Sequence, residues 1–419
     1  MNKQRTVSSE HYHKKPFWLN FINKSWKSLY PLGAEVKLKK DHLIKLARKQ
    51  TGLHSFGTDF WEEPLERLLD SVNHEADLHP VGRFITQKRL TSLLSIRLRA
   101  EYWFGKHPEI LRQDLYPVRL ICGLQRTGTT KLHRLLAADP ENRTLLSWEA
   151  INPVPLTDDP AETEKRMKMA HLSEKALRLM APGFFSIHPV EYEAPEEDIL
   201  LLDSTFLSTT PEATMHVPSY ASWLEHTDQS YAYEYGVRLL KLLQWQRPAK
   251  TWVLKTPHHM EFLDLVKKYY GDVHFIWTHR NICESLPSFL SMVAHSQTIF
   301  SSSVTLEKVA KHWVRKTKYM LSKGVDFRKS NPDTKFTDVF YSDLIQDPME
   351  TLYRIYGEND QVSNELQKKF LSANKLNGPN KYGVHIYGLE EFGLRSDNLL
   401  KFVSEYEDFV QQLKTKVNG

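Results

Sequence analysis

Residues 120–136 read LICGLQRTGTTKLHRLL, in which two glycines, three threonines and an arginine stand between an apolar run and a segment with leucines at helical spacing. The order is strand, loop, helix. Such a loop can hold an anion, because the first backbone N–H groups of a helix lack intrahelical partners and its dipole puts positive charge at the same end. A phosphate group is the natural occupant. Gly123 and Gly128 match the opening of the nucleoside-triphosphate loop G-x-x-x-x-G-K-[ST], but Thr129 stands where that loop has its lysine. Arg126 supplies the charge instead, which points away from ordinary triphosphate hydrolysis and toward another phosphorylated ligand. The competing reading is a plain strand-to-helix turn.

Four short apolar runs, at 118–122, 251–254, 273–278 and 336–341, are separated by helical pattern. They predict an α/β fold with a P-loop-type parallel sheet flanked by helices. In such sheets the ligand sits outside the carboxyl ends of the strands. The residues placed there are the anion loop, then Lys255-Thr256-Pro257-His258-His259, then His279-Arg280 with Ser288 eight positions after the arginine, then Tyr341-Ser342-Asp343. Cations, imidazoles and hydroxyls at one edge are what a polyanionic ligand requires.

The 419 residues, 41% hydrophobic and 26% charged, suit a globular protein with a large core. The net charge of +5 is too diffuse to suggest nucleic acid. Cys122 and Cys283 read as buried thiols, no apolar run is long enough to cross a bilayer, and no secretory segment opens the chain, so a cytoplasmic address is expected. No cluster demands a metal, since the neighbouring side chains of His258 and His259 diverge. Residues 1–112 predict a helical N-terminal region whose first fifteen residues are polar and expected to be disordered. Residues 16–30, with Phe17, Trp18, Phe21, Ile22 and Trp26 among lysines, read as an amphipathic helix, either lying on a membrane surface or packed on its own domain. Residues 113–419 form the α/β domain. Within it 156–248 fit no nucleotide motif and, rich in aromatics, suit an insertion that binds a hydrophobic acceptor. Glu196 and Glu197 read as first-turn residues compensating a helix dipole.

Residues 123–140, the run WEAINPVP at 148–155, LKTPHH at 254–259, THRN at 278–281, YSDLIQDP at 341–348 and HIYGLEEFGL at 385–394 together resemble the sulfotransferase family, most closely its family-3 branch. Gln125 replaces a proline of the signature. The resemblance implies 3′-phosphoadenosine-5′-phosphosulfate as donor, with no metal. It implies a 5′-phosphosulfate loop of Arg126, Thr127, Gly128, Thr129 and Thr130, a 3′-phosphate pair of Arg280 and Ser288, and an adenine contact at Tyr341. Lys131 stands where the cytosolic branch has a stacking tryptophan, and Lys381 could cap the 3′-phosphate. Arg126 and Lys255 suit the leaving phosphate, and His259 or Glu149, with His258 behind them, is expected to take the proton of the acceptor hydroxyl. The rival readings are an ATP-dependent small-molecule kinase and a non-catalytic scaffold of the same fold.

Overall fold

The computed structural model describes residues 6–8, 11–115, 117–357, 362–378 and 384–418. Its centre is a five-stranded, wholly parallel sheet of β2 (Val118–Gly123), β3 (Asn142–Thr144), β4 (Thr251–Lys255), β5 (Val273–His279) and β6 (Phe336–Phe340), in the order β3-β4-β2-β5-β6. The four expected runs are strands, displaced by no more than a residue at their ends. β3 was not anticipated. Its three residues, Asn142, Arg143 and Thr144, are polar and leave no apolar run to read; it exists through backbone pairing of Asn142 with Thr251 at the sheet edge.

Strand residues alternate between two covered faces. Leu120, Cys122, Leu254, Phe275 and Trp277 join one buried cluster. Ile121, Val253, Ile276 and Val339 join another, with Leu132, Leu135 and Leu136 of the helix Thr129–Leu136. Burial on both sides explains why the runs read as continuous rather than alternating hydrophobics. The N-terminal helices Lys40–Thr51, Glu62–His74 and Pro80–Lys106 place Leu43, Leu65 and Leu94 in the same cluster as Trp277, so one core spans both regions.

One expectation needs correction. The first fifteen residues are held in place wherever they are described: β1 (Thr6–Ser8) pairs in parallel with β7 (Val384–Ile386), and the Tyr12 hydroxyl donates to the Val304 carbonyl. Polar composition gave no hint of pairing made by the backbone. In 156–248, Tyr220, Tyr233 and Tyr235 are fully buried core, while Phe206 joins Leu90, Leu93 and Met215 in lining a second, apolar cavity of about 190 Å³. No helix among the described residues is long and apolar enough to cross a membrane.

Candidate active site

The anion loop runs from β2 into the helix Thr129–Leu136, which Gly128 caps at φ 95°. A Cβ on Gly128 would stand 3.0 Å from the Tyr341 ring, and one on Gly123 would stand 2.6 Å from the Thr278 carbonyl, so both positions need glycine for space as well as for backbone geometry. Arg126 itself adopts φ 66°, an uncommon conformation for a non-glycine residue that turns its carbonyl toward Arg280. The Thr127 hydroxyl donates to the Leu124 carbonyl at 2.6 Å and meets the Thr278 hydroxyl at 2.6 Å. It pins the loop to the sheet instead of facing solvent.

Above the loop lies a cleft of about 580 Å³. Arg126, Gly128, Thr129, Thr130 and Lys131 line it from below, Arg280 and Tyr341 from the ends of β5 and β6, and His188, Glu197 and Pro257 from the other side. The Arg280 guanidinium donates to the Arg126 carbonyl at 3.0 Å, pairs with Glu284 and sits 4.2 Å over the Tyr341 ring. Arg126 donates through Nε to Ser288 Oγ at 3.0 Å and through Nη1 to the Ile187 carbonyl. Burial holds its pKa below the ordinary value, and nearby Arg280 acts in the same direction against the pull of Tyr387. An anion in the cleft relieves that cost. Lys131 donates to Asn374 Oδ1 at 2.7 Å. Ser288 is therefore partnered with Arg126 rather than with Arg280, and Lys381 lies outside the described residues.

The two residues expected to act as base are placed elsewhere. Glu149 is 2% exposed at its side chain, accepts from Arg143 at 2.9 Å, from Arg247 at 3.0 Å and from the Leu146 N–H at 3.0 Å, and is absent from the cleft wall. It is a filled acceptor in a buried ion pair. His259 is fully buried, with Nδ1 at 2.8 Å from the Tyr233 hydroxyl and Nε2 at 2.8 Å from Asp198. Both ring nitrogens are occupied. Asp198 also accepts from the Tyr270 hydroxyl, and these contacts keep its pKa below the ordinary value although burial alone would raise it. His258 is buried too, 3.2 Å from the Thr209 hydroxyl, and burial with the neighbouring charges pushes its pKa well down.

Lys255, 3% exposed, is not itself part of the cleft wall but is tied to it through Glu197. Its ammonium donates to Glu197 Oε1 at 2.6 Å, and Thr256 Oγ1 donates to Glu197 Oε2 at 3.0 Å. Glu197 and His188 are the residues that sequence reasoning missed. The helix expected to open at Glu196 begins only at Ile199, which frees Glu197 from a capping role. Three consecutive acids at 196–198 beside an apolar run were the available signal. Burial, outweighing the pull of Glu197 and aided by Lys255 and Arg126, lowers the His188 pKa to about 4. No group of three or more possible metal-ligating side chains occurs among the described residues.

The sequence matches the family-3 profile of the sulfotransferase family over residues 117–359, more than half of the chain. No curated protein sequence matches it. Among solved structures, sulfotransferase STF1 from Mycobacterium tuberculosis H37Rv is similar at 29% identity and a TM-score of 0.77, over 88% of this chain and 99% of that one. Sulfotransferase STF9 from Mycobacterium avium is similar at 26% identity and a TM-score of 0.79, over 89% and 97%. With an arginine-bearing anion loop after β2 and a second guanidinium after β5 on the same cleft, the chain belongs to the sulfotransferase family.

Proposed function

We propose that this protein transfers a sulfuryl group from 3′-phosphoadenosine-5′-phosphosulfate to a hydroxyl of a hydrophobic acceptor. One observation carries the reading: Arg126 and Arg280, 154 positions apart, both line a single cleft at the amino end of a helix. A doubly phosphorylated nucleotide needs a cationic group for each phosphate, and a guanidinium can take two phosphate oxygens at once. In this assignment Arg126 and the amides at Gly128, Thr129 and Thr130 take the 5′-phosphosulfate. Arg280 takes the 3′-phosphate, and Tyr341 offers its ring beside the base. Ser288 acts through Arg126, whose Nε it fixes. Lys255, paired with Glu197 behind the cleft wall, is the cation assigned to the leaving phosphate.

Thermal stabilisation by adenosine 3′,5′-bisphosphate, exceeding that by ATP with Mg²⁺, tests this reading. Preferential stabilisation by ATP with Mg²⁺ would replace it with the kinase.

The hydrophobic acceptor is consistent with work at an anionic membrane surface. The helix Phe17–Lys27 packs inward through buried Leu19 and through Trp26 against Phe84, and leaves Phe17 85% and Phe21 64% exposed. Leu29 and Leu32 extend that exposed apolar surface. Residues 13–40 hold seven lysines against one glutamate, a net +6 where the whole chain carries +5, so everything else sums to −1. An apolar face ringed by lysines suits the boundary of a bilayer containing acidic lipids.

A further inference from the structure

We propose that Glu197 takes the proton of the acceptor hydroxyl, and that this proton transfer frees Lys255 for the leaving phosphate. The inference rests on the sulfuryl-transfer reading above. Among the described residues lining the cleft, Glu197 is the one carboxylate and His188 the one imidazole. The Glu197 side chain is 24% exposed, against 2% for Glu149. Each of its oxygens accepts one hydrogen bond, from Lys255 and from Thr256, which leaves capacity on both for an incoming hydroxyl. His188 is the weaker candidate, because burial and the cations around it disfavour the protonated imidazole that accepting the proton would create.

Position supports the pairing. Lys255 ends β4 and lies in register beside Ile121 of β2, two residues before Gly123 opens the anion loop. Its backbone pairs with the strand that carries the loop, and its ammonium reaches the segment that carries the carboxylate. In the step, the acceptor oxygen forms a bond to sulfur while the bond from sulfur to the bridging phosphate oxygen breaks. That bond's electron pair stays on the phosphate, which leaves as adenosine 3′,5′-bisphosphate. The acceptor proton passes to a Glu197 oxygen. A neutralised Glu197 no longer holds Lys255 as an ion pair, so the ammonium becomes available just as charge builds on the departing phosphate. One proton movement serves both ends of the transfer.

The test compares two acceptors for Glu197→Gln: 1-dodecanol, whose hydroxyl must lose its proton, and 4-nitrophenol, ionised at an alkaline assay pH. Removal of a general base costs about 10²–10⁴ in rate. We expect a loss of about a thousandfold with dodecanol and less than about tenfold with the ionised phenol. Binding of adenosine 3′,5′-bisphosphate is expected to stay within about threefold of wild type, which certifies the fold. Glu197→Asp, which keeps a carboxylate, should recover part of the dodecanol rate. An unchanged dodecanol rate, or equal losses on both acceptors with intact nucleotide binding, overturns the assignment. Absence of sulfuryl transfer by the wild-type protein to either acceptor, together with no stabilisation by the bisphosphate, would instead overturn the parent reading.

Discussion

The edge of the sheet above the anion loop and the polar lattice behind it use the same residue types to opposite ends. Behind the edge, Glu149 is shared by Arg143 and Arg247. His259 is held between Tyr233 and Asp198. Lys316, wholly buried, sits 2.9 Å from Glu261, 3.1 Å from Glu225 and 3.6 Å from Glu212. These groups are enclosed by opposite charges and hydrogen-bonding neighbours and hold segments together. At the edge, Arg126 and Arg280 mostly donate to neutral carbonyls and a hydroxyl, Arg280 adds only an exposed glutamate, and both guanidiniums face a cleft. A charge whose partners are weak and which meets open volume is poised for a ligand. A charge whose partners are strong and which meets none is structural.

Substitutions on either side can break that distinction. The largest effect is expected for Arg126→Ala, which should reduce kcat/KM about a thousandfold while leaving the melting temperature nearly unchanged or raised, since it relieves a half-buried and weakly paired cation. A collapse of stability with normal turnover in the surviving fraction would place Arg126 in the lattice instead. Glu149→Gln should do the reverse. Removing one partner of a buried ion pair costs about 3 kcal/mol or more, read by denaturant titration, with nucleotide affinity preserved in the folded protein.

A subtler effect is expected at Glu261. Burial, with Glu212 and Glu225 adding to it and Lys316 opposing it, pushes its pKa from the ordinary 4.5 up to about 7. The folded chain then binds this proton more readily than the unfolded chain, so the associated stability is present below about pH 4.5 and is lost as the pH rises through about 7. Melting temperatures across that window should fall less steeply for Glu261→Gln than for wild type; parallel slopes would count against it. The smallest effect is expected at the surface. Each of Lys24→Glu and Lys27→Glu should weaken sedimentation with phosphatidylserine vesicles by about 1 kcal/mol or somewhat more, with salt suppressing the difference, and should leave binding to neutral vesicles unchanged. Equal binding by all forms would leave the exposed aromatic face to a protein partner or a second copy of the chain.

Legibility in the sequence followed the same division. The strands β2, β4, β5 and β6 were readable because burial on both faces forces an apolar run, and Arg280 and Tyr341 were readable because a parallel sheet brings its carboxyl ends to one edge. β3 was not, since an edge strand of three polar residues carries no pattern. That the expected bases lie off the cleft was illegible for a related reason. Glu149 and His259 lie in motifs at plausible spacings, yet Arg247 reaches Glu149 from 98 positions away and Asp198 reaches His259 from 61. Glu197 was passed over because its local setting suggested a helix start at Glu196 that forms three residues later.

What the sequence determined by itself was the sheet, the anion loop and the side on which a ligand must sit, because periodicity and a glycine-framed turn are properties of adjacent residues. Which carboxylate lines the cleft was decided only by tertiary structure. Partner saturation and access to the cleft depend on side chains brought together from distant parts of the chain, and no local pattern encodes them.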